Sequence, residues 1–535
     1  MALKGKIGLF LFSIIVIAAV FRLSGLSLRP MHTDEAVHAF KFGQLLENGT
    51  YIFDKNEYHG PSLNYLTLLP ARLASYSTFA SLDEMILRLV PALTGLLTVF
   101  LLFLLARSIG WRMVLTASFL LAVSPPLVYY SRYYIHETLL ILFNLGFIVF
   151  IYRYLRSGRA AWIIGAGVFG GLMFATKSTW VILVAAQIAA FLITGYVYRK
   201  NGMAISFRAV AARPAHIAIF LVSSGIVTIV LYSSFFSNPA GIVDSVTTYG
   251  EYFHRAGPEG LHIHPWHYYI GIMFAERCSS LPFRADVWIL VTGCAGMALA
   301  VAGMTKAVAG KSNYPGIHPV ISFSAIAALL TIAAFSTLPY KTPWNILAFY
   351  VPMAVLSAYF ILNVADKATS RPAKGAYTLV VTIMTAHLLW QGYSDNFKTY
   401  DNTCNPWVYA HPGKDVLTIA HKAGNAALVS PEGKNMYLEI IVPEGGYWPL
   451  PWYLRDFPNT GWWQEVDMDT PAAPFIICSP EFTGQLTRKL FEIPPPGQRS
   501  LYIPLLEYDP ELRPGVSVSL YLRKDYYDRY AEEFR

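Results

Sequence analysis

The chain has 535 residues, 55% of them hydrophobic, 15% aromatic and only 14% charged, with a formal net charge of +8. So apolar a composition excludes an ordinary soluble domain and implies many membrane-spanning helices. The basic residues sit in short connectors between apolar runs, which is a topological pattern and argues against a nucleic-acid partner.

Lys4 and Lys6 precede the apolar run Ile7–Val20 with no small-residue cleavage site after it, so the chain is expected to open with an uncleaved membrane helix. Apolar stretches of spanning length fall near 7–26, 86–107, 112–130, 138–154, 160–176, 179–198, 214–236, 286–305, 317–338, 344–364 and 376–393, about eleven spans in all. One set of connectors holds Lys4, Lys6, Arg107, Arg112, Arg153, Arg156, Arg159, Arg199, Lys200, Arg208, Arg213, Lys306, Lys311, Lys367, Arg371 and Lys374 with almost no acids. By the positive-inside rule these connectors and the N-terminus are cytoplasmic. The alternate segments then lie outside: loop 27–85, turn 131–137, the turn at Lys177–Ser178, loop 237–285, turn 339–344 and the tail. Every stretch with unusual polar chemistry falls on that side, which places the expected work there.

Within loop 27–85, Asp34–Leu46 has helical apolar spacing behind Thr33, the expected N-cap. Asp34 and Glu35 then sit in a first turn whose dipole favours ionised carboxylates. Pro61–Ser75 is a short apolar segment that reads as an interfacial or re-entrant helix. After about Asn396 the chain turns polar and rich in Pro, Gly and aromatics. The runs 427–431, 436–442, 474–479 and 517–523 are strand-like and alternate with helix-like ones. The expectation is a polytopic α-helical membrane domain over 1–395 and an extracytoplasmic α/β domain over 396–535.

The polar residues suggest chemistry. Asp34 and Glu35 read as a general base or metal ligand acting on an acceptor hydroxyl, against the plainer alternative of helix-start acids. In SRYYIHE, Arg132, His136 and Glu137 add a cation and a second carboxylate at the outer end of a span. Arg132 suits a phosphate, and Asp34 with Glu137 are candidate ligands of a divalent cation such as Mg or Mn. His59, in Tyr58-His59-Gly60-Pro61, reads as a phosphate or metal contact and Lys177 as a phosphate contact, or else as a turn histidine and a snorkelling lysine. Tyr340 and Lys341 stand at a similar position. The cluster HIHPWH (262–267) is histidine-rich, but no cysteine joins it, so a flexible binding loop is expected rather than a zinc site. The aromatic run YWPLPWYLRD (447–456) suits either sugar stacking or docking of the tail. The four cysteines show no metal spacing; Cys404 and Cys478 lie on one side as a candidate disulfide.

This layout resembles the GT-C glycosyltransferases that use polyprenyl-phosphate sugars, and within them the dolichyl-phosphate-mannose–protein mannosyltransferase-like branch. Asp34-Glu35 matches the acidic motif of that branch's first outer loop. Arg132 with His136-Glu137 resembles its second motif, which more often has Asp where Glu137 stands. His59-Gly60-Pro61-Ser62 falls where relatives often have Lys-Pro-Pro, and Lys177 matches a basic residue after the fifth span. Asn405-Pro406-Trp407-Val408-Tyr409 followed by YWPLPWYLRD is similar to the flippase activity-associated family of archaeal-type N-glycosylation clusters.

The resemblance implies an integral protein of the cytoplasmic membrane that moves a sugar from a lipid-linked donor to a protein, lipid or glycan hydroxyl, with inversion. In that reading Asp34, Glu35 and Glu137 are catalytic, and Arg132, His136, His59, Lys177, Tyr340 and Lys341 bind the donor phosphate or substrate. A lipid-linked sugar flippase predicts charges inside spans and inverted repeats, neither of which the sequence shows. A non-catalytic accessory subunit of a glycosylation complex is the remaining alternative.

Overall fold

The computed structural model describes residues 2–56, 59–200, 213–255, 262–274, 286–308 and 318–534. Tyr58, Arg208, Cys278, Lys311 and part of loop 237–285 lie outside them. The chain opens with helices α1 (Ala2–Leu23), α2 (Thr33–Asn48), α3 (Ser62–Leu73) and α4 (Glu84–Leu101). A helix lies in each of the eleven expected apolar stretches.

Among the described residues, seven helices are long and apolar enough to cross a membrane, or up to eight if one bent pair is a single span. The expected count of about eleven is therefore not established. The segments Ile7–Leu23 and Ala160–Phe174 are apolar but shorter, and the long helix Arg371–Phe397 is not among the seven.

The bent pair has a local chemical cause. Helix Trp111–Val123 meets helix Pro125–Ser131 at 60°. Pro125 and Pro126 have no N–H, so the carbonyls four residues back, Leu121 and Ala122, lose their helical donors. Arg22, fully buried on α1, replaces both: Nη2 donates to Leu121 O at 2.8 Å and Nη1 to Ala122 O at 2.9 Å. The bend therefore leaves no orphan carbonyl there, and α1 is tied to it.

The tail builds a five-stranded mixed sheet from β1 (Leu438–Ile441), β2 (Thr460–Trp463), β3 (Phe475–Cys478), β4 (Tyr502–Pro504) and β7 (Ser519–Arg523), in the order β2-β1-β3-β7-β4. β5 (Glu511–Arg513) and β6 (Val516–Ser517) form a separate antiparallel pair. β1 is parallel to both β2 and β3, while β7 runs antiparallel to β3 and β4. Strands were expected at 436–442, 474–479 and 517–523, and they form there. The fourth expectation, 427–431, is corrected: Ala427–Val429 end the helix Asp415–Val429, because Ile419, Ala423, Ala426 and Ala427 bury one helical face against the sheet.

The aromatic run is a dock. Trp452 is fully buried and its indole N–H donates to Glu84 Oε1 at 2.9 Å, at the start of α4. Tyr453 Oη accepts the Met31 N–H at 2.7 Å, and Arg455 donates to Leu82 O at 2.9 Å. Phe79 meets the Trp452 ring and Phe40 that of Trp448. The Asn405–Tyr409 segment fixes the exit from helix Arg371–Phe397. Asn405 donates to Asp395 O and Thr399 O, Trp407 donates to Asp395 Oδ2, and Tyr130 Oη donates to Trp407 O at 2.9 Å. Cys404 is disulfide-bonded, whereas Cys478 is a free, buried thiol on β3. The candidate Cys404–Cys478 bond is thus not formed; Cys478 lies in a buried cluster of the sheet.

Replacing Trp452 by Ala is expected to weaken the docking of the tail by about 3–5 kcal/mol, and by Phe, which loses mainly one hydrogen bond, by about 1 kcal/mol. Limited proteolysis of the detergent-purified protein reads this as faster release of the tail, in the order Ala, Phe, wild type. Unchanged resistance in the Ala variant would show that the run does not hold the domain.

Candidate active site

The site is organised by a buried ion pair. Glu35 and Arg88 are both fully buried; Arg88 Nε donates to Glu35 Oε1 and Nη2 to Oε2, each at 2.7 Å. The remaining acceptor capacity of Glu35 goes to backbone: the Tyr134 N–H reaches Oε1 at 2.8 Å and the His32 N–H reaches Oε2 at 3.1 Å. Burial works against this carboxylate, but the Arg88 charge and hydrogen bonds outweigh it and hold Glu35 below the usual range. Arg88 also donates from Nη1 to Leu26 O and Arg29 O, at 2.7 and 2.9 Å. Glu35, expected among the catalytic acids, is placed instead as a positioning residue, because no oxygen of it is left for a substrate.

α2 starts one residue earlier than expected. His32, not Thr33, is the N-cap: its Nδ1 accepts the Asp34 N–H at 3.0 Å, in a reciprocal capping box with Glu35. Because Nδ1 accepts, the proton sits on Nε2, which donates to Tyr409 O at 3.0 Å. Asp34 is thereby presented on a fixed turn with its side chain 43% exposed, 4.0 Å from His32 Nδ1. Its surroundings come from both halves of the chain. Arg513, at the end of β5, donates to Thr33 Oγ1 at 3.3 Å, and the Asp34 charge acts on Arg513 and His262. Tyr133, Trp344, His411 and His32 pack as a ring cluster beside it. Tyr409 Oη bonds His262 Nδ1 at 2.5 Å and His264 Nε2 at 3.1 Å. These histidines join this network and, among the described residues, form no metal cluster.

A second group lies against the same helix. His59 pairs with Lys177 in an isolated bridge, and the Gly60 N–H donates to Thr176 O at 2.9 Å. A Cβ at Gly60 would stand 2.2 Å from Ala175 O, so only glycine allows this approach. Gly60 O accepts from His136 Nε2 at 3.0 Å. His38, one turn after Asp34 on α2, completes a cluster in which ring centroids are 4.7 to 5.0 Å apart. Burial, then the neighbouring histidines and lysines, push all three imidazoles down, His136 to about 3. Glu137, at the start of helix Glu137–Ser157, is ion-paired with Lys177.

Of the expected site residues, the structure gathers Asp34, Glu35, His59, His136, Glu137 and Lys177 around α2. Arg132 is differently employed: it donates to the carbonyls of Phe21, Ser24 and Gly25 at the end of α1 and stacks on Phe397. Its contacts are thus with backbone carbonyls and an aromatic ring. Lys341 is buried, with Nζ donating to His264 O at 2.9 Å and to Leu338 O. Tyr340 is partly exposed and meets the His262 ring. Asp34 and Glu137 do not fall together in a group of three or more metal-ligating side chains; among the described residues that arrangement is made by His38, His59 and His136. Arg88 and Arg513 were not singled out from sequence; Tyr409 entered only as the end of the Asn405–Tyr409 motif and His38 only as a neighbour of the acidic pair. His38 carried the one available signal, its spacing of four from Asp34 on a helix.

Glu137 lines a small cavity with Leu140, Thr179, Phe335, Trp344 and Ala348, and a second cavity is lined by Leu145, Leu183, Ala327, Ala348 and Val355 with Asn144 and Gln187. The two share Ala348 and run down the same face of helix Glu137–Ser157.

Residues 59–226 match the family model described as dolichyl-phosphate-mannose-protein mannosyltransferase. No curated protein sequence matches the chain. Two solved structures resemble it in fold. ArnT from Cupriavidus metallidurans, bound to undecaprenyl phosphate, gives a TM-score of 0.59 at 15% identity, over 97% of this chain and 98% of that one. The archaeal oligosaccharyltransferase AglB from Archaeoglobus fulgidus, in complex with an inhibitory peptide and a dolichol-phosphate, gives 0.55 at 14% identity, over 89% of this chain and 69% of that one.

Removing one member of the buried pair leaves an uncompensated charge, at a cost of about 3–5 kcal/mol. Arg88→Met should therefore lower the thermal midpoint in detergent sharply. The double variant Arg88→Met, Glu35→Gln should recover part of that loss, because the stranded carboxylate is gone. A wild-type midpoint for Arg88→Met would show that the pair does not organise the site.

Proposed function

We propose, from the GT-C glycosyltransferase fold that this chain has, that it is a membrane glycosyltransferase using a polyprenyl-phosphate-linked sugar, with Asp34 as the base. The observation that carries this is the division of labour in one helical turn. Glu35 is locked by Arg88 and two backbone N–H groups, and in locking it holds Asp34 half-exposed at the junction of the membrane part and the tail.

In the proposed step Asp34 takes the proton of the acceptor hydroxyl as that oxygen bonds to the anomeric carbon. The bond from that carbon to the phosphate oxygen breaks, its electron pair stays on the phosphate, and polyprenyl phosphate leaves. Attack from the side opposite the phosphate inverts the anomeric centre. Asp34, open to water, then releases its proton. Lys177, with His59 beside it and paired with Glu137, is the cation best placed to meet the phosphate. Arg513 offers a charged group to the sugar or acceptor. The active face is the outer one in the topology read from the basic connectors. The match over residues 59–226 and the lipid-phosphate ligands of ArnT and AglB support a donor of this class.

Asp34→Asn keeps the helix start, since its cap uses backbone N–H and His32. It should fold normally and lose sugar transfer from a polyprenyl-phosphate donor by about 10²–10⁴-fold. Turnover near that of wild type would remove Asp34 from the mechanism.

A further inference from the structure

We propose that His38, His59 and His136 form a binding site for one metal ion of the zinc class. The three residues come from α2, from the loop before α3 and from the turn before helix Glu137–Ser157, and their ligand atoms lie within 4.8 Å of one another. Folding alone has brought them together.

The second observation is the state of their nitrogens. Gly60 O can only accept, so the Nε2 of His136 that meets it carries the proton. The lone pair is then on Nδ1, and that atom is buried with no hydrogen-bond partner. His59 Nδ1 is likewise buried and unpartnered. Buried polar atoms are normally satisfied, and two such nitrogens in one three-histidine cluster are matched by a shared electrophile. A metal-bound histidine typically donates its other ring N–H to a carbonyl or carboxylate, which fixes its tautomer and orientation. Gly60 O is such a carbonyl, itself held by the pairing of Gly60 with Thr176.

Lys41 and Lys177 stand near the cluster and three acids offset them: Glu137 pairs with Lys177, Asp54 acts on Lys41 and the Asp34 charge reaches His38. Three imidazoles and no thiolate select zinc, cobalt or nickel, whereas magnesium and calcium require oxygen ligands. Zn–N bonds of about 2.1 Å hold tetrahedral nitrogens about 3.4 Å apart, so binding would draw the rings together by about 1 Å. Three protein ligands leave one position open, beside Glu137 and one helical turn from Asp34. Metal binding here neither requires nor excludes sugar transfer, and it is read without an activity assay.

The test uses the full chain in detergent, purified through a histidine-free tag, stripped with chelator and titrated with cobalt(II) and then zinc(II). About one equivalent of cobalt should bind with a visible ligand-field spectrum and be displaced by zinc, and zinc should raise the thermal midpoint. The variant H38A/H59A/H136A should lose the spectrum and the stabilisation. His59→Cys should keep the metal and add a thiolate-to-cobalt charge-transfer band in the near ultraviolet, which decides the matter even where the triple variant fails to fold. Absence of a cobalt spectrum in wild type, equal cobalt affinity in the triple variant, or His59→Cys binding cobalt without the new band would each overturn the proposal. So would stabilisation of wild type by inorganic phosphate but not by zinc, which would make the cluster an anion site.

Discussion

A single buried guanidinium sets the geometry on which the site depends. Arg88 lies on an apolar helix with no water to solvate it, and it stays charged there only because Glu35 and a set of carbonyls surround it. Those carbonyls belong to the segment between α1 and α2, so satisfying the arginine also fixes the path of the chain into α2. Glu35 in turn draws in the Tyr134 N–H from the turn before helix Glu137–Ser157. One ion pair thus joins α4, the start of α2 and the turn that carries His136 and Glu137.

Two further arginines act in the same way around it. Arg22 supplies the donors that Pro125 and Pro126 lack, and Arg132 collects the carbonyls at the end of α1. Each is a cation inside or beside an apolar bundle, and each donates to backbone oxygen. The tail joins this bundle, since Trp452 and Tyr453 dock on the start of α4 and on Met31, and Arg513 comes to rest beside Thr33.

The acidic pair, the SRYYIHE turn and Lys177 were all legible in the sequence, and the structure brings them to one end of the bundle. The sequence ranks Asp34 as the base ahead of Glu35 as its support, but it gives no partner that makes the division. Asp34 and Glu35 are adjacent and chemically alike; only the bidentate contact with Arg88, 53 positions further on, separates a positioning carboxylate from an open one. Arg132 had the right residue type for a phosphate, but its partners are carbonyls of α1 that no spacing rule reveals. The histidine cluster is scattered over His38, His59 and His136, each unremarked or ambiguous alone. The YWPLPWYLRD run advertised aromatic contact without saying whether the partner was a sugar or the protein itself.

By itself the sequence determined the solvent, the helix-rich membrane body and the mixed tail, because apolar run length and composition act locally along the chain and survive without knowledge of contacts. It also led to the expectation that the polar chemistry collects on one side, because basic connectors alternate with it. Only the tertiary structure decided which charge neutralises which. In a buried rim the fate of a carboxylate, an arginine or an imidazole depends on the donors and acceptors within hydrogen-bond reach. Here those come from helices and loops far apart in the chain.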